Sequence, residues 1–205
     1  MPKNISSARS KGSADPVKPV VRPKHEIRII GGAWKRSKLQ VADRPGLRPT
    51  PDRVRETLFN WLGQDLTGWH CIDAFAGTGV LGFEAASRGA AEVWLVEQDP
   101  ALVEQLKSTQ AKLQAAAVRI QRADAITVLR QLGVASMDLV FIDPPFDSTL
   151  LDAALQGAAA ALKPGGSIYL EAPVAWTSAK LAPYLLTVLR HLKAGAVHAH
   201  LLKLA

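Results

Sequence analysis

The chain has 205 residues, with 25 Lys and Arg against 18 Asp and Glu and a formal net charge of +7. That length suits one ordinary domain with additions, and the absence of any apolar run near ~18 residues excludes a helical membrane span. The single cysteine, Cys71, excludes an intrachain disulfide; with a basic start and no apolar segment behind it, this predicts a cytoplasmic protein without a secretory signal.

Residues 1–24 hold six basic side chains against Asp15 and few large apolar ones, which predicts a disordered basic tail. Ile27–Ile30 and Lys38–Val41 read as two short strands joined by a Gly31-Gly32 loop that carries Trp34, Lys35 and Arg36. An aromatic ring among cations suits base stacking and phosphate contact, although Trp34 could equally cap a small core. A turn-rich connector follows, and Thr50-Pro51-Asp52 opens a helix with a threonine cap, a proline at the first position and an acid in the first turn. Val54, Leu58, Trp61 and Leu62 share one face of it, Arg53 and Arg55 are expected to point away, and Gly63 ends it. Residues 25–60 hold eight basic side chains against four acids, and the rest of the chain is slightly acidic. A basic front on a neutral body points to a polyanion met by that front, with Arg28, Trp34, Lys35, Arg36, Arg48, Arg53 and Arg55 as candidate RNA contacts. Arg48, beside Pro49, could instead be structural.

From residue 70 the pattern becomes repeated strand–helix units. Strands are expected at 71–75, 92–97, 118–121, 137–142 and 167–171, with helices at about 80–88, 100–114, 124–132 and 149–162. The segments 185–192 and 197–203 read as a closing hairpin. The fold class is therefore α/β: a Rossmann-like, mostly parallel seven-stranded sheet with helices on both faces, an antiparallel C-terminal hairpin strand, and a small N-terminal hairpin and helix. The predicted organisation is a tail over 1–24, an RNA-binding extension over 25–65 and a catalytic domain over 66–205.

Gly77-Thr78-Gly79-Val80-Leu81-Gly82 fits G-x-G-x-x-G, and Glu97 lies 20 residues after Gly77. Both NAD(P) and S-adenosylmethionine have a ribose that such an acid can hold. Asp73 favours the second, because an acid beside the loop suits an ammonium and a sulfonium and would repel a pyrophosphate. Asp124 can accept from an adenine amine or simply cap its helix. Asp143-Pro144-Pro145-Phe146 closes a buried strand, where ligands bind in an open α/β sheet. Read alone it could be a proline-rich turn with a solvated acid. Beside the glycine loop it offers more: the Asp143 carboxylate and the Pro144 carbonyl can each accept one hydrogen of an exocyclic amine, the prolines hold these acceptors rigidly, and Phe146 can stack on the base. Carbon-5 methylation would need a cysteine near this strand, and Cys71 lies in another. No His/Cys spacing predicts a metal, and His191, His198 and His200 read as surface or satisfied residues.

These motifs resemble the class I S-adenosylmethionine-dependent methyltransferases, and more closely the RsmD family of bacterial 16S ribosomal RNA guanine-N2 methyltransferases. The resemblance rests on Ile27–Gly32, Leu47–Thr50, Asp52–Leu62, Asp73–Gly79 and Asp143–Phe146. It implies methyl transfer from S-adenosylmethionine to the N2 amine of one guanine in 16S rRNA, within an assembling small subunit, by an enzyme expected to be monomeric. It implies cofactor contacts at Asp73, Phe75, Gly77, Gly79, Glu97 and Asp124, and catalysis at Asp143 to Phe146; Thr50, Gln98, Ala125 and Asp143 complete the expected cofactor set. The wider class often has Asn and Tyr where this chain has Asp143 and Phe146, which preserves acceptor and ring. The alternatives are a DNA adenine-N6 or protein-amide methyltransferase, an NAD(P)-dependent oxidoreductase, or a catalytically silent RNA-binding module.

Overall fold

The computed structural model describes residues 26–41, 50–145 and 149–205; the tail, Arg48 and Phe146 lie outside them. Two strands, β1 (Glu26–Arg28) and β2 (Lys38–Gln40), pair antiparallel as a small separate hairpin, with Ile27 opposite Leu39. Helix α1 (Asp52–Trp61) follows. The main sheet then builds from β3 (His70–Asp73), α2 (Val80–Ser87), β4 (Glu92–Glu97), α3 (Pro100–Leu113), β5 (Val118–Arg122), α4 (Ala125–Gln131) and β6 (Met137–Ile142). It is completed by α5 (Leu151–Ala161), β7 (Leu162–Ala172), the short α6 (Ser178–Leu181), a 3-10 turn at Ala182–Tyr184, β8 (Leu186–Ala194) and β9 (Val197–Leu204).

The sheet order is β5-β4-β3-β6-β7-β9-β8, seven strands as expected. Neighbours from β5 to β7 run parallel, and β9 lies antiparallel between β7 and β8. From β3 the chain winds outward to β4 and β5, then returns to place β6 on the other side of β3. The β3/β6 boundary is thus the topological switch point, where an open α/β sheet has its ligand crevice at the carboxyl edge. One face is covered by the hairpin, α1, α2 and α3, through Leu39, Leu58, Phe59, Phe83 and Leu106. The other is covered by α4, α5 and α6, through Val128, Leu129, Leu155, Ala158 and Leu181.

Several expectations move. Strand β7 is longer than the predicted 167–171, because Pro164-Gly165-Gly166 is part of it. The register slips there from Met137↔Leu162 to Leu139↔Ser167, and Gly165 takes φ +81°, so a sequence that reads as a loop forms a bulge. Thr50 does not cap α1. Pro51 holds that position without a side-chain bond, and the Thr50 hydroxyl donates instead to the buried Glu171. The α6 turn, whose cap Thr177 accepts from the Lys180 N–H, was not anticipated.

The largest correction is Arg55. Position 55 lies three and four residues before Leu58 and Phe59, so helical spacing puts it on the buried face. Its side chain is 0% exposed. The guanidinium donates to Glu84 Oε1 at 2.8 Å, to Asp52 Oδ1 at 2.5 Å, and to the carbonyls of Thr50 and Arg28 at 3.1 and 2.9 Å. Arg55 therefore has no surface to offer RNA. Glu84, also 0% exposed, accepts in addition from the Ile30 N–H and from Arg88. This knot ties β1, α1 and α2 together. Removing one partner of a buried pair strands the other charge, so Arg55→Ala should lose about 3–5 kcal/mol. Urea denaturation of Arg55→Ala, Glu84→Ala and the double variant should show the double losing clearly less than the two singles added together.

Candidate active site

Four of the parallel strands finish in an acid at the same edge. Glu97 ends β4, Asp73 ends β3, Asp143 follows β6, and Glu171 lies one residue from the end of β7. These four strands are consecutive neighbours in the sheet. Ordinary strand-end positions thus become a row of carboxylates across the switch point.

Asp73 is 2% exposed. Its Oδ2 accepts from the Gly82 N–H at 3.2 Å, in the first turn of α2, where an anion favours the helix dipole. That close approach requires glycine: a Cβ on Gly82 would come within 2.1 Å of Leu95. Asp73 Oδ1 is buried and makes no hydrogen bond of ordinary geometry. Burial pushes the Asp73 carboxyl up to about 7, against the opposing pull of the Gly82 N–H. Gly77 and Gly79 take φ +51° and +75°, and Gly79 is the cap of α2. Glu97 is locked by two backbone donors, Gly77 N–H on Oε2 at 3.0 Å and Asp99 N–H on Oε1 at 2.8 Å. Glycine loop and strand-end acid are therefore joined directly.

Asp124 caps α4, with Oδ1 accepting from the Thr127 N–H and hydroxyl, both at 2.8 Å. Those bonds hold its carboxyl below the usual range. Ala125 is buried behind it and Gln98 is exposed after β4; Phe75 is half-buried beside the glycine loop.

Asp143 is half-buried, Pro144 buried and Pro145 exposed. Burial first, then the neighbouring Glu171 and Asp73, hold the Asp143 carboxyl well above its usual range. Glu171 was not singled out from sequence. An acid closing an apolar strand, as at Asp73 and Glu97, was the available signal. It is 4% exposed, and Oε1 accepts from Thr50 at 2.8 Å and from Tyr169 at 2.7 Å. Thr50, expected at the cofactor, therefore spends its hydroxyl at the β7 end of the site.

The basic candidates divide. Arg28 and Arg53 are exposed at the amino end of α1, near Thr50, and Arg28 lies 3.8 Å from Asp52. Lys35 and Arg36 are exposed on a loop fastened to the far end of α2. There the Ala33 N–H donates to the Ser87 carbonyl at 2.7 Å and the Trp34 N–H to Ser87 Oγ at 2.9 Å. Since α2 begins at the glycine loop and runs eight residues, this loop stands about 12 Å from the carboxyl edge. The Trp34 ring is half-buried against the core, so the core-capping reading applies to it. A cavity of about 500 Å³ lined by Lys35, Asn60 and Arg88 lies at this same far end, away from the acids.

His200 is buried and accepts the Trp176 N–H on Nε2 at 3.0 Å, while its ring stacks on exposed His191 at 4.7 Å. No helix among the described residues is long and apolar enough to cross a membrane.

Residues 27–203 match the family described as Conserved hypothetical protein 95. The chain is 49% identical over 135 residues to Ribosomal RNA small subunit methyltransferase D of Escherichia coli, covering 64% of this chain and 68% of that one. It is 41% identical over 153 residues to the protein of the same name from Haemophilus influenzae, covering 72% and 79%. The solved structure of yhhF from Escherichia coli superposes with a TM-score of 0.76 at 41% identity, covering 88% of this chain and 98% of that one. With the glycine loop, the acid row and the Asp-Pro-Pro loop arranged as above, the chain belongs to this family, the class I methyltransferases of the ribosomal RNA small subunit methyltransferase D type.

Proposed function

We propose that the protein transfers a methyl group from S-adenosylmethionine to the exocyclic N2 amine of a guanine in 16S rRNA. The observation that carries this is the row of strand-end acids with Asp143-Pro144 beside the glycine loop. The name shared by the Escherichia coli and Haemophilus influenzae relatives supports a small-subunit rRNA substrate.

The site fits the cofactor. Asp73 Oδ1 is a buried acceptor in want of a donor, and a cofactor ammonium is such a donor. Glu97, already oriented by Gly77 and Asp99, keeps acceptor capacity for two ribose hydroxyls. Asp124 and Ala125 border the adenine side. When bound, S-adenosylmethionine supplies an electrophilic methyl group. A dinucleotide fits worse, because its pyrophosphate would lie against the Asp73 carboxyl, which already takes the Gly82 N–H at the start of α2.

The amine is a poor nucleophile while its lone pair is delocalised into the ring. Asp143 and the Pro144 carbonyl, each accepting one N–H, favour the pyramidal nitrogen of the transition state. The two prolines keep the acceptors from relaxing, and Phe146 provides a stacking surface for a base taken out of its helix. Residues 25–65 act as the RNA-binding extension on a catalytic unit of 66–205. Arg28 and Arg53 serve RNA near the target base, while Lys35 and Arg36 serve RNA farther off. The protein works in the cytoplasm, where small subunits assemble.

Labelled cofactor and methyl-deficient 30S particles should yield labelled N2-methylguanosine in 16S rRNA. Label on adenosine, on protein or on nothing would overturn the reading. Asp143→Ala should slow transfer by about 10²-fold or more while S-adenosylhomocysteine affinity stays nearly unchanged. Because the unliganded Asp73 carboxyl holds its proton up to about 7, S-adenosylmethionine should bind less tightly as pH falls through that value, with proton release on binding. Titration calorimetry should show that dependence flattened in Asp73→Asn. Replacing Lys35, Arg36 or Arg53 by Ala should each reduce the log–log salt slope of RNA binding by about 0.7–0.9 per lost phosphate contact.

A further inference from the structure

Strands β6 and β7 are in register with Ile142 beside Leu170, so the next residues, Asp143 just past β6 and Glu171 near the end of β7, follow side by side. They continue the face of Phe141 and Tyr169, whose rings meet edge-on at 6.2 Å. Glu171 is nearly inaccessible, yet no cation reaches it among the described residues. Both donors to its Oε1 are neutral hydroxyls, Thr50 before α1 and Tyr169 on β7 itself. The buried guanidinium nearest in sequence to Thr50, that of Arg55, is committed to Glu84 and Asp52. The other groups facing the pair are Asp73 from β3, also acidic, and Ala199 of β9, paired with Glu171 and apolar. A buried carboxylate clamped beside a second one is costly.

The geometry points to Glu171 as a positioning residue for methyl transfer: clamped by Thr50 and Tyr169, it fixes a second carboxyl group beside Asp143, the group that receives the proton the amine gives up. This rests on the reading of Asp143 as the amine acceptor. In the step, the nitrogen–methyl bond forms as the sulfur–methyl bond breaks, and sulfur keeps the bonding electrons. The amine loses one proton to the Asp143 carboxylate, which later passes it to water. Burial pushes the Glu171 carboxyl up, but its two hydroxyl donors pull the other way and favour its charged form, and a charge held there works against a second one on Asp143. A lone aspartate in water is too weak a base to take much of an amine proton in the transition state. One beside a fixed negative charge is stronger.

Single-turnover methyl transfer to methyl-deficient 30S particles, followed from pH 5 to 9, tests this. In Glu171→Gln, which keeps an oxygen for both hydroxyls, the acidic limb should move down by about one pH unit or more. The plateau rate should fall about tenfold, with S-adenosylhomocysteine and particle affinities unchanged. A limb that stays in place overturns the proposal and leaves Glu171 a structural residue. Infrared titration of the unliganded protein reads the same coupling without catalysis. The carboxyl band lost in Asp143→Asn should titrate above the usual carboxylate range in the wild type and move down in Glu171→Gln. An unmoved band overturns the proposal, while a moved band in a protein that methylates no RNA supports the coupling and overturns only the substrate reading. Should Glu171→Gln not fold, Tyr169→Phe keeps both carboxyls. With one donor lost, Glu171 holds its charge less firmly, and the Asp143 band should move down by less; no movement counts against the proposal.

Discussion

Four carboxyl groups stand at the ends of four adjacent parallel strands, and water reaches them poorly. Burial makes charge costly on Asp73, Asp143 and Glu171, and the protein supplies no cation to these three among the described residues. Each copes differently. Asp73 keeps one oxygen on the α2 amides, and burial lifts its proton affinity. Glu97 accepts from two backbone N–H groups. Glu171 leans on hydroxyls, and Asp143 is left as the group with least support and most reason to accept a proton. The edge is an acceptor surface kept short of donors. A ligand with an ammonium, a sulfonium, ribose hydroxyls and a base amine would satisfy it group by group.

That edge depends on a second constraint at the other side of α1. The Arg55–Glu84 pair, closed by Asp52, Arg88 and the carbonyls of Arg28 and Thr50, holds the N-terminal hairpin and α1 against α2. Thr50 is carried into place by the same arrangement, since its carbonyl accepts from Arg55 while its hydroxyl donates to Glu171. One residue thus links the N-terminal hairpin and α1 to the acid row. The extension is joined to the sheet by shared core, with Val54, Leu58 and Phe59 in the same cluster as Leu139, Phe141 and Tyr169.

The basic residues do not form one patch. Arg28 and Arg53 sit at the amino end of α1, near the acids, whereas Lys35 and Arg36 hang from the carboxyl end of α2. An RNA that used both groups would be gripped at two places separated by the length of a helix. Base choice and overall docking would then be carried by different ends of the same extension.

Much was legible in the chain itself. Alternating strand and helix patterns required a parallel sheet, and the glycine loop with Glu97 and the Asp-Pro-Pro loop marked its carboxyl edge, because proline, glycine and strand-end acids act locally. Arg55 was misread because a basic side chain looks exposed until its buried counter-ion is known, and Glu84 lies 29 residues away. Pro164-Gly165-Gly166 fell outside the strand expected at 167–171 because only pairing with β6 makes it a bulge. Glu171 passed unnoticed because its meaning comes from Asp143 on the neighbouring strand and Thr50 from 121 residues earlier. Sequence by itself determined the fold class and placed the glycine loop, Glu97 and Asp143-Pro144 at ends of parallel strands, because those features are written in consecutive residues. Tertiary structure alone decided which charges are buried, which hydroxyls hold them and which cations stay exposed. Those properties belong to pairs of residues far apart in the chain, brought together only when the sheet closes its order at β3 and β6.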